Sequence, residues 1–179
     1  MATEVFATTE RLVVRRFEPA DVAAFAAYRS EPAVARYQVW SAPVPVADAR
    51  HLVTEFATAA EQEPGWFQYA VEAGGVLVGD VAICRHDNGM QAELGFTLAT
   101  AHQGRGYATE AVRSVLDRVF ATGVRRVSAE CDARNTASAR LLERLGFQRE
   151  GLRREHSWLK GEWTDDLLFG LLAREWRVS

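Results

Sequence analysis

Glu93-Leu94-Gly95-Phe96-Thr97-Leu98, then Gln103-Gly104-Arg105-Gly106-Tyr107-Ala108 and the residues on to Asn135, form the segment around which the rest of the chain is arranged. Glu93 to Leu98 alternates as a strand. Gln103 to Ala108 is a loop that closes on a long helix, predicted to run to about Thr122, and a second strand is expected from Arg125 to Asp132. Glycine lacks a Cβ, so a loop carrying Gly104 and Gly106 turns sharply and brings its N–H groups close to a ligand. The first N–H groups of the helix have no internal partner, and the positive end of its dipole points the same way. Together these make a phosphate cradle. A strand–helix–strand unit implies a parallel pair.

Upstream, Arg11 to Arg16 reads as a first strand. Asp21 is the candidate N-cap of a helix carrying Val22, Phe25, Ala26 and Tyr28. Pro32 and the segment Trp40 to Pro45 interrupt the pattern. Leu52, Val53, Phe56 and Ala60 recur at helical spacing and predict a helix from about Val46 to Glu61. Trp66 to Ala73 and Val76 to Arg85 flank Gly74-Gly75, a hairpin signal. With Asp87-Asn88-Gly89 as a second turn, these strands and the one ending at Leu98 form an antiparallel meander.

Downstream, Ala111, Val112, Val115, Leu116 and Val119 share one face of the helix after the loop, and Gly123 stops it. Asn135 caps a further helix with Leu141, Leu142 and Leu145 inward. Gln148 to Trp158 and Thr164 to Trp176 read as a final hairpin around Lys160-Gly161. No repeat, linker or low-complexity tract divides residues 1–179, so the expectation is one α+β domain. Its sheet is mixed and mostly antiparallel, and helices flank it.

Composition narrows the function. Hydrophobic residues at 48% and charged residues at 25% describe a globular chain, and a net charge of −3 argues against a general affinity for nucleic acid. Lys160 is the only lysine. Cys84 and Cys131 are the only cysteines and lack CxxC spacing, so they read as buried free thiols, with neither a disulfide framework nor a metal expected. No apolar run approaches the ~20 residues of a membrane span. No signal-peptide pattern opens the chain, and the expected location is cytoplasmic, as a monomer or homodimer.

The pattern Gln103-x-x-Gly106-x-Ala108 resembles the acyl-CoA pyrophosphate loop of the GNAT acetyltransferase superfamily. Asn135-x-x-Ser138 followed by Glu143-Arg144-Leu145-Gly146-Phe147 is similar to a second motif of that superfamily. Glu10 to Arg15 and Tyr28-Arg29-Ser30-Glu31-Pro32 resemble the Rim-type branch of ribosomal-protein N-terminal acetyltransferases. The resemblance spans about Thr9 to Trp176. It implies an α/β sandwich-like fold with a splayed parallel strand pair, acetyl-CoA as co-substrate and an amine acceptor, either a protein N-terminus or a small molecule.

It also implies roles. The amides of Gln103, Gly104, Arg105, Gly106, Tyr107 and Ala108, with Thr109, would take the pyrophosphate. The backbone of Phe96, Thr97 and Leu98 would pair with the pantetheine arm like an added strand, and an N–H there would face the thioester oxygen. Two compatible roles are open to Asn135: helix cap and anchor for the pantetheine. Ser138 is the candidate to protonate the leaving thiolate. The alternatives for it are a hydrogen bond to sulfur, a relay through water, or a small residue that admits the cofactor. Where many relatives carry a tyrosine acid, this chain has Leu142.

For the base, Glu93 is the candidate, acting directly or through water, with Glu130 as its rival. His102 reads as a plain loop histidine, and His51, His86 and His156 have no partner readable from sequence. Trp40, Trp66, Tyr69, Trp158 and Trp163, with Asp165 and Asp166, are candidates for an acceptor groove, or for core.

Two other functions compete. Gly104-x-Gly106-x-x-Thr109 partly imitates a dinucleotide fingerprint, but the third glycine is absent and the glycines trail the strand by several residues. A non-catalytic acyl-CoA sensor would keep the cradle without turnover, and Leu142 keeps that alternative open.

Overall fold

The computed structural model describes residues 3–176; the remaining residues of the expected 1–179 domain lie outside the described residues. Eight strands form one sheet in the spatial order β1 (Val5–Thr8), β2 (Val13–Arg15), β3 (Gly65–Ala73), β4 (Val76–Arg85), β5 (Gln91–Leu98), β6 (Arg126–Asp132), β8 (Glu162–Leu172) and β7 (Gln148–Leu159). Every neighbouring pair is antiparallel except β5 and β6. A lone parallel pair cannot be the doubly wound parallel sheet of a dinucleotide fold, so the oxidoreductase reading falls.

Among the described residues five α-helices flank the sheet: α1 (Val22–Arg29), α2 (Pro32–Ala35), α3 (Val46–Thr58), α4 (Tyr107–Ala121) and α5 (Thr136–Arg144). Inward side chains alternate along each strand, and the two faces bury different partners. Phe67, Ile83, Leu94, Val127 and Phe169 pack with Val112, Leu116, Leu141 and Leu142 of α4 and α5. Ala70, Leu77 and Ala99 pack with Phe25 and Val53 of α1 and α3. No helix among the described residues is long and apolar enough to cross a membrane.

The turns follow their chemistry. Gly74 and Gly75 sit at φ 58° and 80°, as a tight β3–β4 hairpin requires. Asn88 Oδ1 accepts the N–H groups of Met90 and Gln91 and fixes the entry to β5. One buried polar cluster ties the helices to the sheet. Asp80, 3% exposed, accepts from the Tyr28 hydroxyl and, at 3.3 Å, from the Arg29 guanidinium. Burial, and then the carboxylate of Asp80, push the Tyr28 phenol well above its ordinary range.

The structure departs from the sequence reading in places. The strand expected from Arg11 to Arg16 is only Val13–Arg15, and an edge strand, β1, precedes it. Asp21 does not cap α1 with its side chain. It accepts from the Glu18 N–H at 2.8 Å and pairs with Arg15, so it closes the 3₁₀ turn Pro19–Asp21 instead. The helix expected to reach Glu61 ends at Thr58. The last strand ends at Leu172 rather than Trp176.

Candidate active site

The loop at the mouth of α4 has the expected geometry. Gly104 and Gly106 hold φ of 74° and 81°, a conformation L side chains rarely adopt. The first helical bond runs from Glu110 N–H to the Gly106 carbonyl, so the amides of Tyr107, Ala108 and Thr109 have no partner within the helix. No side chain caps this end. Arg11 braces the loop from outside: it bonds the Arg105 carbonyl at 2.8 Å, pairs with Glu110 at 2.6 Å and lies 4.8 Å from the centre of the Tyr107 ring. Burial raises the Glu110 carboxyl, but hydrogen bonds from Thr9 and Arg11 outweigh it and hold the group below its ordinary value. Gln103 Nε2 donates to the Leu98 carbonyl at 2.9 Å and ties the loop to β5.

β5 and β6 part beside this loop. They pair only at Gln91, Ala92 and Glu93, opposite Arg126, Val127 and Ser128. Yet β5 stays bonded to β4 as far as Leu98, and β6 to β8 as far as Asp132. The Ala99 N–H bonds the Val78 carbonyl. Strand alternation then turns the backbone groups of Leu94, Phe96 and Leu98 away from β4, toward the gap. Thr97 faces its backbone to β4, so of the three residues expected to meet pantetheine, Phe96 and Leu98 present theirs. The Leu98 carbonyl is already taken by Gln103, which leaves its N–H.

A pocket of about 690 Å³ joins these parts. Its wall includes Phe96, Thr97, Leu98, Gln103, Gly104, Gly106, Tyr107, Ala108, Thr109, Asn135 and Ser138. That size suits an extended ligand. Arg105 is exposed and stands outside the wall. Asn135 Oδ1 accepts the Ser138 N–H at 3.2 Å, so its capping role is realised. The Ser138 hydroxyl makes no hydrogen bond among the described residues and lines the pocket. Leu142, 1% exposed, belongs to the core.

A family model described as the acetyltransferase (GNAT) domain matches residues 11–148. This chain belongs to the GNAT acetyltransferases. It is 33% identical over 172 residues to the uncharacterized N-acetyltransferase p20 of Bacillus licheniformis, covering 94% of this chain and 96% of that one. It is 31% identical over 84 residues to the Escherichia coli ribosomal protein uS5 alanine N-acetyltransferase, 46% of this chain and 43% of that one. RimL, a ribosomal L7/L12 α-N-protein acetyltransferase solved with coenzyme A, superposes with a TM-score of 0.84 at 17% identity over 94% of this chain and 98% of its own. Relatives named for ribosomal N-acetylation agree with the Rim-type resemblance of the opening motifs.

In this GNAT fold, Glu93, Gly95 and Thr97 face the α1–α3 side of the gap from one bank, and Ser128, Glu130 and Asp132 from the other. Burial, and then Glu130, push the Glu93 carboxyl above its ordinary value of 4.5. Trp66, 51% exposed, leans over Gly95: a Cβ there would meet its ring at 4.0 Å. Trp158 and Trp163 are exposed and meet edge to face at 5.3 Å. Of the other two aromatics expected in a groove, Tyr69 is fully buried on the opposite face and donates to Glu61, while Trp40 is half-buried on the α1–α3 face, 4.1 Å from the Arg29 guanidinium.

The cysteines are half-buried rather than buried. Cys131 lies on the open stretch of β6, closer to the gap than its distance in sequence suggests. Burial, then Asp132 and Asp166, push its thiol up to about 11. Sequence reasoning missed Tyr37, Gln38, Arg140 and Arg144 in the pocket wall. The i, i+4 spacing of the two arginines, just after Asn135 and Ser138, was the available signal.

Proposed function

We propose that this chain transfers an acetyl group from acetyl-CoA directly to a primary amine, with a protein or peptide N-terminal α-amine as the preferred acceptor. One observation carries this reading: an uncapped helix mouth and an unpaired strand edge open into the same pocket. Coenzyme A needs both, one for its diphosphate and one for its amide-bearing arm. The glycine conformations, the free amides of Tyr107 to Thr109 and the pocket volume fit that ligand. Arg140 and Arg144 supply positive charge for the remaining phosphate.

The chain's residues then divide the work. An N–H of Phe96 or Leu98 faces the acyl oxygen and stabilises the negative charge that develops there. Ser138, with its hydroxyl uncommitted, hydrogen-bonds the leaving sulfur. Glu93, the base expected from the sequence, stands at the closed end of the gap with its carboxyl raised by burial. The raised thiol of Cys131 makes a poor nucleophile, which favours direct transfer over an acyl-enzyme. Glu93, the exposed Glu130 and Trp66 beside the gap suit a cationic amine, and the relatives named for ribosomal-protein alanine or L7/L12 α-N acetylation point to a peptide end.

A panel of peptides with free N-termini, amino acids, polyamines and amine antibiotics, incubated with acetyl-CoA and read by thiol release and product mass, tests this. The expected product is an N-terminally acetylated peptide. Binding of acetyl-CoA with no thiol release from any amine would favour the non-catalytic sensor, the reading that the buried Leu142 supports.

A further inference from the structure

The β7–β8 hairpin carries a distortion. Its register steps from Arg153↔Asp166 to Ser157↔Thr164, so residues 154–156 stand opposite Asp165 alone. Glu155 sits at φ 46°, a left-handed conformation that costs energy outside glycine. Its N–H bonds Asp165 Oδ1 at 2.8 Å, which staples the bulge. Bulges of this kind re-aim side chains, often beside active sites.

The side chain re-aimed here is His156. Its Nδ1 lies 2.9 Å from Asp166 Oδ2, the same oxygen that accepts the Ser157 hydroxyl at 2.5 Å. Asp166 is 7% exposed, while the ring of His156 is 44% exposed, and Nε2 has no partner among the described residues. With Nδ1–H donating to the carboxylate, Nε2 is left with its lone pair. Asp166 pairs across the ladder with Asp132, on the face of β6 that looks over the gap. Glu130, His156 and Asp166 bring side-chain donor atoms within 4.8 Å of one another.

We propose that His156, oriented by Asp166, is the group that takes the proton from the acceptor amine. The proposal rests on the acetyl-transfer reading. Glu93 stands where β5 and β6 still pair, so three residues of strand, roughly 10 Å, separate it from Phe96. The dyad instead lies beside the unpaired stretch of β6, across the ladder from Asp132 and with its donor atoms within 4.8 Å of those of Glu130. With Nδ1 bonded to the buried carboxylate, the exposed Nε2 carries the lone pair that a general base needs.

The step balances. One ammonium proton passes to Nε2. The freed nitrogen pair forms the N–C bond as the C–S pair leaves on sulfur, and sulfur takes the nitrogen's second proton through Ser138 or water. Asp166 stays ionised beside the imidazolium, which then releases its proton to solvent. The charges facing the ring are few. Glu130 pairs with Arg153 at 3.0 Å and Asp132 with Arg134 at 2.7 Å; Asp165 is held by the bulge, Arg154 and Glu155 point to solvent, and Glu93 lies across the gap.

Two measurements test this. Imidazole ¹⁵N shifts of the whole protein, with the His156 signal identified by its loss in H156Q, should show the neutral ring protonated at Nδ1. With the amine found in the panel, H156Q should lower kcat/KM by about 10²- to 10⁴-fold and remove the acid limb of its pH profile, with coenzyme A affinity unchanged. D166N, which can no longer hold that tautomer, should show an Nε2-protonated ring and a similar loss. An Nε2-protonated ring in the wild type, H156Q activity within about twofold of wild type with the limb intact, or loss of the limb in E93Q alone would each overturn the assignment. A wild type silent on every amine would instead remove the acetyl-transfer reading, and this step with it.

Discussion

Glu93 and Ser128 are the last residues at which β5 and β6 run side by side. Past them each strand keeps its outer partner and loses its inner one, so backbone donors and acceptors line a gap in the middle of the sheet. A fold that leaves such groups unpaired forgoes hydrogen bonds worth roughly 1 kcal/mol each, and a ligand with peptide-like amides can restore them. The α4 mouth sits at the open end of that gap.

Ser138→Ala should separate chemistry from binding. The Ser138 amide, not its hydroxyl, meets Asn135, so the cap survives the substitution. The expected outcome is a fall in kcat of about 10²-fold with little change in coenzyme A affinity, read by thiol release and calorimetry. An unchanged kcat would leave Ser138 as only a small residue that admits the cofactor.

Asn135→Ala should instead cost stability. It removes the Oδ1 acceptor of the Ser138 N–H and with it about 1 kcal/mol of stability, measurable by urea unfolding. If stability is unchanged, the cap contributes nothing and Asn135 acts only on the ligand.

Glu93→Gln should stabilise the protein. Its folded carboxyl titrates above its ordinary value of 4.5, through burial first and Glu130 second, so ionisation costs more folded than unfolded. Wild-type stability therefore falls, relative to the variant, as pH rises through 4.5, and the gap levels off above the raised folded value. A Tm series should show equal stability near pH 3 and a more stable variant at pH 8. The opposite order at pH 8 would contradict the burial argument.

Asp80→Ala should be among the most damaging substitutions. It leaves the buried guanidinium of Arg29 and hydroxyl of Tyr28 without their shared acceptor. A loss of about 3–5 kcal/mol is expected from denaturant unfolding. A loss below about 1 kcal/mol would show that this cluster is solvated rather than buried.

What the sequence revealed was what the chain encodes locally. Gly104 and Gly106 before an amphipathic helix, and Asn135 three residues ahead of Ser138, each specify a conformation by their own chemistry, and both were legible. β1 was not, because Val5–Thr8 is four residues long and only partly buried at the sheet edge. The splay is an absence of pairing between strands about thirty residues apart, and no local pattern records it. His156 and Asp166 meet only because a bulge shifts the register by two residues, so alternation alone could not place them together.

Coenzyme A calorimetry on the wild type and on Gly106→Val asks whether the α4 mouth grips the cofactor. Valine at φ 81° would strain the loop and bring its Cβ to 3.3 Å from the Arg11 guanidinium, displacing the amides that face the pocket. Saturable binding to the wild type is expected, with at least about tenfold weaker binding to the variant, about 1.4 kcal/mol. No heat of binding to the wild type, or equal affinity in the two proteins, would contradict it.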